Sequence, residues 1–278
     1  MIYVTAALYP EASALIRHFR LKKTELLRGT DVFTDHENMT LVLTGTGELN
    51  AASVTAAFLA KMNVSDDDEL LSIGSAASLC EDSGSGLYII NKMTDRNSGR
   101  SYYPDMLMYT GLRETSVLTG STVYRKGDNI PEGYGLYDME SAAVYHAAKM
   151  FFPPHRMFFL RFVSDTGTPQ AVTASDLERL SNEYLPAVIR LVEEVRKGKK
   201  TESILTKEDE EHIIQLAEQM KCTEFMKNEL HGYVCYAVLT GLSLKQIEEG
   251  LSLAERLPAE NKEEGKKILY AIRQFVIQ

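Results

Sequence analysis

The strongest constraint on the fold is an alternation that runs over residues 1 to about 197. Short apolar runs rich in β-branched residues alternate there with stretches of helical periodicity. This alternation predicts βα units around a mainly central sheet, so the expected class is α/β with flanking helices. The predicted strands are 2–7, 32–33, 39–44, 70–73, 87–93, 116–118 and 156–163, and the predicted helices are 11–19, 50–62 and 174–195.

The composition changes at residues 196–200, a basic segment that contains a glycine. We interpret this segment as a hinge, because such stretches commonly separate domains. The chain is therefore expected to divide into residues 1–198 and residues 199–278. Everything after the hinge has helical patterning, so the second part is predicted to be a small all-α bundle.

Helix signals divide this C-terminal part into about four short helices. Residues 206–209 and 243–246 resemble capping boxes, in which a Ser or Thr and an acidic or amide residue satisfy the first N–H groups. Gly241 stands where a C-terminal glycine would end a helix. Pro258 suits the first turn of another helix.

Charge and composition narrow the class of partner. A formal charge of −9 and a pI near 5.3 argue against nucleic-acid polymers and anionic membranes, since both require basic faces. The three cysteines, Cys80, Cys222 and Cys235, lack the spacing of a zinc site, and His212 and His231 are too isolated to indicate a metal. We expect free thiols in a reducing cytoplasm, and we expect no metal, no signal peptide and no membrane helix.

Two segments indicate a site. Residues 138–143 place a carboxylate at the start of a helix rich in small residues, and residues 159–165 run an apolar strand into a Ser-Asp pair. Ligands of open α/β sheets bind beyond the carboxyl ends of strands, so Asp165 and Glu140 are expected to face one crevice. Each motif alone also has a structural explanation, since carboxylates cap and stabilise helix N-termini.

The Met139-Glu140 and Ser164-Asp165 pairs together resemble the signatures of the purine nucleoside phosphorylase and methylthioadenosine/S-adenosylhomocysteine nucleosidase superfamily. The nucleosidase branch is the closer match, and the resemblance covers roughly residues 1–197. It implies a nucleoside phosphorylase-like mixed sheet and hydrolysis of the N-glycosidic bond of a purine nucleoside or a methylthioadenosine-like or futalosine-like relative. It also implies that no cofactor is needed and that the protein is a homodimer or a higher homo-oligomer.

The resemblance assigns roles around the leaving base and the sugar. It implies that Asp165 is the general acid toward the purine and that Ser164 orients it. Glu140 is expected to accept hydrogen bonds from the ribose hydroxyls, and Met139 to pack against the sugar. The pair Val123-Tyr124 falls where the family places residues against the base, although a packing role for Tyr124 explains that residue equally well.

The resemblance also assigns the residues around the attacking water. Glu11 follows the first strand where the nucleosidases have their general base. Ser75, in the segment 74–77, is expected beside the water, and Arg161 matches an arginine that reaches the same region. Residues 44–47 contain a Gly-x-Gly, but the third glycine and later acid of a dinucleotide fingerprint are missing in register. The resemblance implies instead a turn beside the sugar.

Hydrolysis is favoured over phosphorolysis by the charges at the expected nucleophile position. Phosphate needs several fixed cations, and the places where phosphorylases supply arginines hold Ser72 and Glu11 here. Arg28-Gly29 instead favours phosphorolysis, because it resembles a segment through which some phosphorylases contribute an arginine to the phosphate site of a neighbouring subunit. A single arginine is insufficient for a phosphate site.

Two features depart from the nucleosidase pattern. The segment 103–116 is shorter than usual, and the aromatic and Met-rich residues 102–109 could line an apolar pocket or bury an interface. The helical tail has no counterpart and could dock a protein partner. A non-catalytic nucleoside-binding or partner-recruiting protein therefore stays an alternative.

Overall fold

The computed structural model describes residues 1–80, 85–107, 111–168, 172–198 and 205–277. It contains two compact units, Met1–Arg196 and Lys197–Gln278. Residues 199–200 of the predicted hinge and residues 108–109 of the aromatic segment lie outside the described ranges. The rest of the predicted hinge is helical, because Arg and Lys are good helix formers and the glycine falls only at the helix end.

The first unit is built on a ten-stranded mixed sheet, which confirms the predicted fold class. The helices are α1 Tyr9–His18, α2 Glu48–Lys61, α3 Ser141–Ala148 and α4 Ala174–Gly198, with a 3₁₀ turn at Pro154–Arg156. The strands are β1 Ile2–Ala6, β2 Lys22–Leu27, β3 Thr30–Thr34, β4 Met39–Leu43, β5 Glu69–Ser78, β6 Leu87–Asp95, β7 Ser101–Tyr102, β8 Arg113–Thr119, β9 Leu136–Asp138 and β10 Met157–Asp165.

Strand β5 joins two parts of this sheet. On one side the order is β5-β1-β4-β3-β2, and on the other β5, β10, β6, β8 and β9 form a closed ring because β5 pairs with both β10 and β9. Strands β4, β1, β5 and β10 are mutually parallel. Their carboxyl ends therefore lie at one edge, where a ligand site is expected in an α/β sheet.

Apolar residues cover both faces of the sheet. One face packs against α1 and α4 through residues such as Leu15 and Leu191. The other packs against α2 and α3 through residues such as Phe58 and Val144. Near-continuous apolar strands such as β10 were predictable for this reason, since they are buried on both sides.

Several strands differ from the sequence expectation. Strand β5 extends to Ser78, well beyond the predicted 70–73, because its small and polar residues continue the ladder with β10. Strand β2 was not predicted, since its side chains are mostly exposed or half-buried at the sheet edge and show no apolar run. Strands β7 and β9 have only two and three residues, too few for a recognisable period.

The second unit is all-α and has its own apolar core, centred on residues such as Leu230, Val234 and Ile272. Its helices are α5 Lys207–Gln219, α6 Glu224–Leu239, α7 Leu244–Gly250, the single turn α8 Leu253–Arg256, and α9 Lys262–Ile277. Within the described residues, no helix has the length and apolar content needed to cross a membrane.

The predicted capping boxes of this unit are confirmed. Thr206 caps α5 and Ser243 caps α7, and in both the third helical residue bonds back to the cap. Gly241 follows α6 with a φ of +90°, as a helix-ending glycine does. The expectation for Pro258 was wrong: this residue lies between α8 and α9, and Asn261 caps α9 by accepting the Glu264 N–H at 3.0 Å.

Candidate active site

A pocket lies at the carboxyl ends of the parallel strands. It is small, with a cavity volume of about 10 Å³, and it is partly open to solvent. Residues of β1, β5 and β10 and the turn after β4 line one side, and the start of α3 lines another. Its lining residues are Thr5, Ala6, Ala7, Thr44, Ser72, Ile73, Gly74, Glu140, Val144 and Arg161.

Glu11 and Ser75 form a directly bonded pair. Helix α1 begins immediately after β1, with a proline in its first turn, and this places Glu11 at the third helical position. One carboxylate oxygen accepts the Leu8 N–H at 3.0 Å, and the other accepts both the Ser75 N–H at 2.8 Å and its hydroxyl at 2.6 Å. Glu11 is only 3% exposed. The predicted base and the predicted serine are thus held together across two elements.

Arg161 approaches the same place from β10. A Cβ atom added to Gly74 would lie 3.6 Å from both the Arg161 Cζ and the Glu11 Oε1, so the two groups flank one residue of β5. Arg161 donates four hydrogen bonds within the protein. Its Nε donates to Asp138 at 2.8 Å, its Nη1 to the carbonyls of Leu160 and Ser72 at 2.8 and 3.3 Å, and its Nη2 to the Ser72 hydroxyl at 3.2 Å.

Asp138 connects Arg161 to its neighbours, and the sequence motif assigned no role to it. It is almost completely buried, and besides Arg161 it accepts hydrogen bonds from the Thr119 hydroxyl at 2.7 Å and from the Ser141 N–H and hydroxyl. Burying a carboxylate requires this kind of compensation. The only sequence signal was its place directly before Met139-Glu140, because β9 is too short to be recognised.

Glu140 precedes α3 and points toward the turn that follows β4. Its Oε1 accepts the Gly47 N–H at 2.7 Å. Gly47 has a φ of +90°, a conformation that glycine adopts without strain. The turn at residues 44–47 therefore contacts the predicted sugar-binding glutamate.

The environment of Glu140 favours its neutral form. Burial, and then the negative charge of Asp138, raise the pKa of Glu140 from 4.5 to about 7. Glu11 adds a further repulsion, whereas the Gly47 N–H and Arg161 oppose the rise. Near neutral pH this carboxyl is thus present in both protonation states, so it can both donate and accept hydrogen bonds.

Asp165 and Ser164 end β10 and form a second bonded group. The Ser164 hydroxyl donates to one Asp165 oxygen at 2.8 Å, and the Gly167 N–H donates to the other at 2.8 Å. A register shift between Val163 and Asp165 pairs Asp165 with Ala77. Such irregularities re-aim side chains near sites.

The two bonded groups lie along the same pair of strands. Ser75 is two residues from Ala77 on β5, which corresponds to about 7 Å of strand and the same face.

The other predicted substrate-binding residues are Tyr124, Val123 and Met139. Tyr124 packs on Tyr137 with ring centroids 5.6 Å apart and against the Gly167 backbone, so it lies beside the Asp165 turn. Val123 is 70% exposed, and Met139 is half-buried beside Glu140. Their predicted contacts with a base and a sugar stay predictions. In the described part of the chain, no group of three or more His, Cys, Asp or Glu side chains has the arrangement of a metal site.

Comparison with solved structures identifies the architecture. A Helicobacter pylori 5′-methylthioadenosine nucleosidase mutant with 5′-methylthioadenosine in its active site superimposes with a TM-score of 0.59 at 16% identity, covering 69% of this chain and 98% of the other. H. pylori futalosine hydrolase gives 0.59 at 15% identity, covering 69% and 97%. The S. pneumoniae 5′-methylthioadenosine/S-adenosylhomocysteine nucleosidase with a transition-state inhibitor gives 0.57 at 19% identity, covering 69% and 97%.

The chain therefore has the nucleosidase fold over most of its length, followed by helices that extend beyond the matched region. No family model and no curated protein matches the sequence. At these identities the likeness establishes the fold, and chemistry has to be argued from the site.

Proposed function

We propose that this protein hydrolyses the N-glycosidic bond of a purine nucleoside or a 5′-modified nucleoside. The observation that carries the proposal is the buried Glu11–Ser75 pair, which lies at the carboxyl ends of the parallel strands beside Glu140 and Arg161. Glycosidic cleavage needs an activated nucleophile on one side of the sugar and an acid at the leaving base. Glu11 and Asp165 are the carboxyl groups that we propose for these two tasks.

Glu11 is the proposed general base. Its carboxylate is fixed by the Leu8 and Ser75 N–H groups, and the Ser75 hydroxyl lies 2.6 Å away. A water bound beside this pair would lose a proton to Glu11 as it attacks the anomeric carbon. Fixed orientation matters here because positioning lowers the barrier without reorganisation at the moment of reaction.

Asp165 is the proposed acid at the base. Ser164 and Gly167 hold its two oxygens, so the carboxyl has one orientation toward a purine nitrogen. Glu140 is proposed to bind the ribose hydroxyls, and its raised pKa lets it donate as well as accept. Negative charge from Glu11 also stabilises the positive charge that develops on the sugar.

Water is the proposed nucleophile because the local charge disfavours phosphate. Arg161 contributes the only cationic side chain among the residues that line the described pocket. It pairs with the buried Asp138, and four of its five N–H groups donate within the protein. A phosphate dianion beside Glu11 would be repelled without a free cation to compensate.

The direct test is incubation with a panel that includes 5′-methylthioadenosine, futalosine, adenosine and inosine, with and without phosphate. We expect free base and free sugar in phosphate-free buffer. The Glu11→Gln variant keeps the shape but loses the base, and should lower turnover by ~10²–10⁴-fold. Release of base only with phosphate, together with ribose-1-phosphate as product, would instead identify a phosphorylase.

Further parts of the proposal concern organisation. The motif residues all precede residue 198, so we propose that residues 1–198 are the catalytic part and that residues 199–278 serve a different role. The substrate is proposed to be a small nucleoside, bound by a homo-oligomer in the cytoplasm. A protein partner that binds the C-terminal helices is the last part of this proposal.

A further inference from the structure

Helix α6 has an unusual outward face. Its inward side is buried in the core of the second unit by Met226, Leu230, Val234 and Ala237. The opposite side of such a helix is normally polar. Here it carries Phe225, Tyr236 and Leu239, which are 70%, 49% and 67% exposed.

These side chains form one stripe with a gap in the middle. At 3.6 residues per turn, positions 225, 232, 236 and 239 fall within an arc of about 60°. Gly232 occupies the centre, and a Cβ built on it would meet nothing within 4 Å. We call Phe225, Gly232, Tyr236 and Leu239 the α6 stripe. It has large apolar groups toward both ends and bare backbone between them.

The stripe is nearly symmetric about Gly232. Phe225 and Leu239 each lie seven residues from this glycine. A two-fold interface brings the same surface of two subunits together, so residue i meets j and j meets i. If two copies of α6 cross antiparallel at Gly232, Phe225 meets the partner subunit's Leu239 at both ends. The two glycines then allow the helix axes to approach to the short end of the usual 8–10 Å range.

From this symmetry we infer that α6 is a self-association surface, whose partner is the α6 stripe of a second copy of this chain. The stripe contains no charged residue, so its burial removes no ion from water. The nearest charged residue is the half-buried Glu229, which accepts the Tyr233 hydroxyl at 3.2 Å, and Glu224 and Lys227 are joined at 2.7 Å on the flank of the helix. In the antiparallel register position 229 lies opposite position 235 of the second copy, so two glutamates do not meet. Antiparallel pairing therefore opposes no like charges along the stripe.

The buried area sets the strength of this association. Aromatic side chains present about 150–250 Å² each, so the exposed parts of the three large residues amount to roughly 400 Å² per copy. Two copies would bury about 800 Å², which is below the ~1,200 Å² of a standard stable interface. The association is therefore weak and depends on protein concentration.

Sedimentation equilibrium of the full chain over a range of concentrations tests this inference. We expect a weight-average mass that rises with concentration, and an association constant reduced about tenfold or more by Phe225→Glu. Adding Leu239→Lys to that variant should restore association, because each Glu then faces the partner's Lys in the antiparallel register. In a parallel register Glu would face Glu, and the double variant would stay weak.

Two further variants separate specific pairing from general stickiness. Gly232→Leu adds apolar surface but holds the helices apart, so it should weaken association. The double variant Tyr270→Glu with Ile277→Lys makes the same kinds of change at two exposed apolar residues of α9 and should have no effect. Circular dichroism checks that each variant is folded.

The inference is overturned if the mass of the wild-type chain does not depend on concentration or if Phe225→Glu leaves it unchanged. It is also overturned if the charge-paired variant is not rescued or if Gly232→Leu strengthens association. None of these readouts requires enzymatic activity.

Discussion

Replacing Glu140 by Gln should make the stability of the first unit less dependent on pH. Gln keeps the shape and can still accept the Gly47 N–H, but it has no proton to lose. In the wild type, the folded state holds a proton on Glu140 between pH 4.5 and about 7, whereas the unfolded chain releases it near pH 4.5. Wild-type stability therefore falls as pH rises through this window.

The magnitude follows from the pKa values. The interval from 4.5 to about 7, at about 1.36 kcal/mol per pH unit, corresponds to roughly 3 kcal/mol. The stability of Glu140→Gln relative to wild type should thus rise by about 3 kcal/mol between the acidic and alkaline sides of the window. For a unit of this size, 1 kcal/mol shifts Tm by about 2–4 °C, so the Tm difference should widen by about 6–12 °C.

Differential scanning calorimetry at pH 5, 6, 7 and 8 and constant ionic strength measures this difference. The two units can melt separately, so the comparison uses the transition that Glu140→Gln moves. Glu25→Gln removes an exposed carboxylate from β2 and serves as the control for losing one charge. A Tm difference for Glu140→Gln that stays constant across the pH range would refute the idea that burial and Asp138 hold the proton on this residue.

Three other changes test the site and the division of the chain. Asp165→Asn keeps the shape of the side chain beside Ser164 and Gly167 but cannot donate a proton as an acid does. We therefore expect kcat to fall ~10²–10⁴-fold with little change in substrate binding. Turnover near the wild-type value would show that Asp165 is not the acid. Arg161→Met leaves Asp138 buried without its ion pair and should lower the free energy of unfolding in urea by about 3–5 kcal/mol. Adding Asp138→Asn should recover part of this loss. An unchanged unfolding midpoint for Arg161→Met would contradict the pairing of Arg161 with Asp138. Truncation after Gly198 should preserve base release per folded molecule, checked by circular dichroism and light scattering, and a well-folded but inactive truncation would mean that the tail supplies or orders part of the site.

Periodicity determined the class of fold from the sequence. Buried strands such as β10 are recognisable because they are apolar on both faces, and long amphipathic helices such as α4 repeat their pattern over many turns. The caps at Thr206 and Ser243 were equally readable, because a capping box is local and involves residues only three apart. Pro258 misled the same reasoning, since a proline suits a loop before a helix as well as its first turn.

The candidate site was predictable as a set of motif residues but not as an arrangement. The resemblance places Glu11 and Ser75 beside one water and residues 44–47 beside the sugar. It does not indicate that Glu11 accepts both the N–H and the hydroxyl of Ser75, 64 positions away, or that the Gly47 N–H donates to Glu140. Those contacts depend on the strand order, which is fixed by long-range pairing rather than by local preference.

The sequence by itself thus determined the long apolar strands, the amphipathic helices and the residue types available for chemistry, but not the edge strand β2 or the short strands β7 and β9. Only the tertiary structure decided how their charges are used. Arg161 is the clearest case: as a residue in a strand it could have reached a water or a phosphate, but the ring closed by β5, β9 and β10 brings Asp138 to within 2.8 Å of it. A buried arginine must be compensated by the nearest carboxylate, and which carboxylate is nearest depends on packing between segments distant in the chain.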